Sequence, residues 1–79
     1  MTKKERQEQA ERLGLPRNIG RKVIPISPCL FRPGDVAEIV GWRIREEDNI
    51  PFYLIRFDNG EVDEILGGDY LQRGGHMFV

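Results

Sequence analysis

The chain has 79 residues and a single cysteine, which bounds it to one small domain without a disulfide framework and leaves little room for a large active-site cavity. Its net charge of −1 conceals an asymmetry: residues 1–29 hold seven basic and three acidic side chains, whereas residues 30–79 hold five and ten. All seven aromatic residues lie beyond residue 30, so the chain reads as a basic leader (1–29) joined to an acidic, aromatic-rich body (30–79).

The first residues, Met1 to Glu8, are too polar for a signal peptide, and no apolar run approaches membrane length. With one cysteine, a cytoplasmic, unanchored protein is expected. Thr2 to Glu5 fits a capping box, and Lys3 to Leu13 are good helix formers that stop at Gly14. Ala10 and Leu13 are almost the only apolar residues of this helix, so it is expected to bury little and to be separable from the body.

Residues 15–33 hold four of the five prolines, and Val23 to Ile26 is apolar enough to lie along the body. Prolines are confined to edges, ends and bulges of sheets. An ordered but irregular arm is therefore expected rather than a central strand.

The body reads as short strands. Pro33-Gly34-Asp35 forms a turn leading into Val36 to Val40, Gly41 permits a bend or bulge, and Trp42 to Arg45 continues as a second strand. Glu46 to Pro51 is a polar loop. Tyr53, Ile55 and Phe57 alternate with Leu54 and Arg56, Asn59-Gly60 is a hairpin turn signal, and residues 61–66 return. A two-residue type I′ turn would set Phe57 opposite Val62 and Arg56 opposite Asp63. Gly67 to Leu71 reads as a tight or 3₁₀ turn, and His76 to Val79 as a closing strand.

In Arg32 to Gly41, Tyr53 to Gly60 and Tyr70-Leu71, the body resembles the SH3-like small barrels shared by KOW and Tudor modules. The resemblance covers about residues 31–79. It implies a mostly β, five-stranded barrel preceded by a helix and an extended arm, and by analogy a binding role.

Trp42, Tyr53, Phe57 and Tyr70 are candidates for an aromatic cage. Tyr53 and Phe57 are expected in the core, leaving Trp42 and Tyr70, beside glycine turns, as surface anchors. Asp58, Glu61, Asp63 and Glu64 cluster at the hairpin tip without EF-hand spacing, so an acidic docking face is expected there rather than a metal site. Cys29 and His76 are the sole thiol–imidazole couple, and no orienting group or oxyanion hole accompanies them.

Gln9 to Arg17 resembles the middle of a helix-turn-helix, with Ala10, Leu13, Gly14 and Leu15 at matching positions and Val23 in the second helix. Gly20 and Pro25 depart from that pattern.

The expectation is a non-catalytic interaction or regulatory module, an accessory subunit or inhibitor, with no cofactor and no metal. It would meet a basic protein surface through Trp42, Tyr70, Asp58, Glu61 and Asp63. The alternative is a nucleic-acid-associated factor contacting phosphates through Arg12, Arg17, Arg21 and Lys22.

Overall fold

A computed structural model describes residues 2–26 and 36–79. The Pro33-Gly34-Asp35 turn, Cys29 and the opening of the barrel motif lie outside the described residues.

Helix α1 spans Lys3–Leu13. At its start Thr2 Oγ1 accepts a hydrogen bond from the Glu5 backbone N–H at 3.2 Å, which satisfies one of the first-turn donors that lack an intrahelical partner. Gly14 ends the helix at φ 74, a left-handed conformation that glycine adopts without Cβ strain. A 3₁₀ turn, Pro16–Asn18, leads to strand β1 at Lys22–Pro25. Strands β2 (Ala37–Ile44), β3 (Pro51–Phe57) and β4 (Val62–Leu66) form a meander. A second 3₁₀ turn, Gly68–Tyr70, precedes β5 at His76–Phe78. The result is a five-stranded antiparallel sheet in the order β4-β3-β2-β1-β5. Among the described residues β4 and β5 end that order without pairing to each other, so the sheet is open and does not close into the expected barrel.

The arm departs from its expected irregular path, because β1 is an interior strand between β2 and β5. Pro25 is accommodated at its end. Lys22 and Val23 pair with Glu38 and Ala37 on one side, whereas Pro25 faces only His76 of β5. Its missing N–H therefore interrupts no two-sided ladder. The second helix of the helix-turn-helix pattern does not form, since Val23 sits in β1 between Ala37 and Phe78.

Residues 37–44 are one bulged strand rather than two. Pairing passes from Ile39↔Ile55 to Gly41↔Leu54, leaving Val40 as the extra residue. The bulge restores the pleat phase so that Ile39 and Ile44 are both buried and Trp42 packs against the same core. At Gly41 a Cβ would stand 3.2 Å from Leu54 Cδ1, so glycine permits this close approach.

The β3–β4 hairpin forms where expected but with a different turn. Arg56 opposes Val62 and Ile55 opposes Asp63, which leaves Asp58, Asn59 and Gly60 as a three-residue connection closed between Phe57 and Glu61. Only Gly60, at φ 87, is left-handed there, and Asn59 is not. Asn59 Oδ1 accepts the Glu61 N–H at 2.9 Å, a side-chain bond that favours the longer turn. The Arg56–Asp63 pair is consequently replaced. The Arg56 guanidinium lies 3.8 Å from the Glu38 carboxylate of β2 instead.

A single core joins Ala10, Leu15 and Val23 of the leader to Ala37, Ile39, Ile44, Tyr53, Ile55, Ile65 and Leu71. The boundary at residue 29 is thus one of charge and composition, and the packing crosses it. Ala10 and Leu15 are fully buried. The helix docks through a small side chain and through the turn that follows it, so a broad apolar stripe is not required.

Candidate functional site

The five residues expected to face a partner do not form one patch. Asp58, Glu61 and Asp63 are exposed at the tip of the β3–β4 hairpin. Tyr70 ends the 3₁₀ turn beside Pro51, at the opposite end of β3. β3 is seven residues long, so its ends lie roughly 20 Å apart at the rise of a strand. Trp42 is paired with Tyr53 in the register and packs against the core with one part still accessible. Tyr53 is fully buried and Phe57 is half-buried against the same core. The four aromatics therefore do not line an exposed cage.

Electrostatics single out the hairpin tip among the body's carboxylates. Arg43 binds Glu64 through two hydrogen bonds, that from Nη2 measuring 2.7 Å. Arg45 holds Asp48 through two more and lies 3.7 Å from Glu47. Arg6 of α1 pairs with Glu46. These contacts hold the Glu64, Asp48 and Glu46 carboxyls below their ordinary range, first through the arginine hydrogen bond in each case. Asp58, Glu61 and Asp63 form no ion pair among the described residues. Asp69, exposed on the second 3₁₀ turn, also lacks one, so the hairpin tip gathers three of the four such carboxylates of the body among the described residues.

Val62 is exposed although the two-residue turn signalled by Asn59-Gly60 would place it toward the core. It lies between Glu61 and Asp63 and is 63% exposed. In the two-residue turn register it would have faced Phe57, on the core side. The one-residue change turns it to the opposite face, a consequence of the strand period of two.

The cations of the leader are dispersed over three elements. Arg12 is exposed on α1, Arg17 on the first 3₁₀ turn, and Arg21 and Lys22 at the start of β1. The Arg21 guanidinium lies over the Phe78 ring at 3.8 Å from its centre and donates to Asn18 Oδ1 at 3.2 Å. Lys22 shares a pocket of about 250 Å³ with Glu38, Arg56 and Asp58, so it is set among carboxylates as well as a cation.

A second cleft, of about 300 Å³, surrounds Tyr70. Leu13 of α1, Pro51 and Tyr70 line it together with Gln9, Asn49, Asp69 and Arg73. Asn49 adopts φ 58, the one left-handed non-glycine conformation among the described residues. No short-range pattern announces this cleft, because α1, the β2–β3 loop and the second 3₁₀ turn meet only in the tertiary structure.

Among the described residues no group of three or more His, Cys, Asp or Glu side chains is arranged to hold a metal ion. Of the thiol–imidazole couple, Cys29 lies outside the described residues, and His76 Nδ1 lies 3.3 Å from the Gly74 carbonyl oxygen. No helix among them is long and apolar enough to cross a membrane. Comparison with protein-family models, curated proteins and solved structures found no match to this chain.

Proposed function

We propose that this chain is a non-catalytic protein-interaction or regulatory module that docks on a basic protein surface through the acidic tip of its β3–β4 hairpin. The observation that carries this reading is the division of the carboxylates. Those along the sheet and the β2–β3 loop are engaged by Arg6, Arg43, Arg45 and Arg56, whereas Asp58, Glu61 and Asp63 lack such a partner among the described residues. Unneutralised exposed charge steers encounter and selects partners of opposite sign. The exposed Val62 supplies apolar surface on the other face of the same strand. The strand order, the bulge in β2 and the 3₁₀ turn before β5 support reading the sheet as an SH3-like meander that begins at β1 and is left open between β4 and β5.

The rival reading, phosphate contact through Arg12, Arg17, Arg21 and Lys22, draws on the Arg21 guanidinium held over Phe78 and by Asn18. A salt titration of the full chain against polylysine and against duplex DNA and RNA separates the two. The docking reading expects polylysine binding that weakens with salt and is lost when Glu61 and Asp63 are both changed to Lys. Binding to duplex that is lost with Arg17→Gln, Arg21→Gln and Lys22→Gln, with no binding to polylysine, replaces it by the rival.

A further inference from the structure

We propose that the free edge of β4 accepts an extended partner segment alternating basic and apolar residues, added as a sixth strand. This inference rests on the docking reading above and specifies its mode.

β4 is the terminal strand of the sheet. Among the described residues, no backbone hydrogen bond from outside β3 reaches Val62–Leu66. The bonding phase follows from the hairpin closure, in which the Phe57 N–H donates to the Glu61 carbonyl at 2.8 Å. In an antiparallel ladder, bonded and non-bonded pairs alternate. Asp63 and Ile65 therefore turn their backbone groups toward β3, and Val62, Glu64 and Leu66 turn theirs to the open edge.

One outward donor is already occupied. The Glu64 N–H donates to Asp63 Oδ1 at 2.8 Å. A neighbouring carboxylate thus closes part of the edge, one of the ways a sheet prevents indiscriminate pairing. It also makes the edge selective. A cation on the incoming strand draws the Asp63 carboxylate toward itself and releases the Glu64 N–H for the strand's carbonyl. A strand without a cation meets a closed donor and the uncompensated charges of Glu61 and Asp63. A second copy of this edge is disfavoured for the same reason, because it brings like charges together.

The side-chain pattern of the occupant follows from the two faces of β4. Glu61 and Asp63 lie on the face shared with Phe57 and Ile55. Val62, Glu64 and Leu66 lie on the other, opposite Arg56, Leu54 and Phe52. Glu64 is neutralised there by Arg43 and Leu66 already packs against Gly74, so that face offers apolar contact at Val62. Basic residues on one face and apolar residues on the other complement this edge.

The test uses the full chain and a short synthetic peptide alternating lysine and valine, with two backbone N-methylated forms, methylated at every lysine or at every valine. The parent peptide is expected to bind, and the Val62 and Glu64 amides to become protected from hydrogen exchange. One methylated form should lose binding and the other keep it, because a strand presents alternate amides to opposite edges. Asp63→Asn should weaken the parent peptide by about tenfold, as expected for loss of one charge-assisted contact. Equal binding by the parent and both methylated forms overturns strand addition, and so does binding to polylysine without binding to the alternating peptide. In either case the acidic docking reading survives. Failure to bind both polylysine and the peptide overturns the inference and that reading together.

Discussion

The side-chain amide of Asn18 donates to the phenolic oxygen of Tyr53 at 2.7 Å, joining the turn after α1 to the middle of the sheet. Tyr53 is the largest fully buried side chain, and its hydroxyl is satisfied through this contact. Asn18→Ala is expected to destabilise by about 1–3 kcal/mol, since a buried hydroxyl loses its partner. In Tyr53→Phe the second loss should be smaller, making the double variant less destabilised than the sum of the singles. Denaturant unfolding of the four proteins checks this, and strict additivity would refute the coupling.

Removal of residues 1–14 should lower the melting temperature substantially. The sequence favours a separable helix, but Ala10 is fully buried and Leu13 packs on the core. Loss of the helix uncovers Leu15, whose exposure alone costs about 1.5–3 kcal/mol. That is a sizeable part of the ~5–15 kcal/mol by which domains are stable. An unchanged thermal transition in the truncated chain would show that α1 contributes nothing to the core.

Gly60→Val should destabilise by about 1–3 kcal/mol, because a β-branched residue resists the left-handed conformation at φ 87. Gly60→Asn should cost less, since asparagine tolerates that region. A Cβ at Gly60 meets no atom within 4 Å, so the effect is conformational and not steric crowding. Equal melting of the Val and Asn variants contradicts this assignment.

The carboxyls of Glu46, Asp48 and Glu64 are held below their ordinary range by Arg6, Arg45 and Arg43. A group depressed in the folded state contributes stability above its unfolded pKa and loses it as pH falls through the folded one. Stability should therefore decline as pH drops below about 4, the ordinary carboxylate range. All three pairs are exposed, so added salt should shrink the effect. Carbon-detected NMR titration should find the Glu64 carboxyl moving up toward its ordinary value in Arg43→Gln, and no movement would exclude the pair as its cause.

Local chemistry was legible in the residues themselves. Thr2 and Gly14 delimit α1, Gly41 marks the bulge, and the apolar alternation from Tyr53 to Phe57 marks β3, because each is decided by neighbours within a few positions. The turn length was not, since Asn-Gly suits both a type I′ turn and a three-residue turn with only glycine left-handed. That choice moved Val62 to the outer face and Arg56 from Asp63 to Glu38. The hairpin-tip carboxylates could be named in advance, but their lack of arginine partners could not, because the competing ion pairs join residues up to 40 positions apart.

Short-range periodicity, capping and glycine placement are enough to specify a β-rich body with a capped helix ahead of it. The entry of Lys22–Pro25 into the sheet between β2 and β5, and the closure of the core by Ala10 and Leu15, are set by long-range packing. Those outcomes depend on contacts between distant segments. A short apolar run beside prolines becomes a strand when two partners flank it, and a helix with few apolar residues docks when those it has, Ala10 and Leu13, both meet the core.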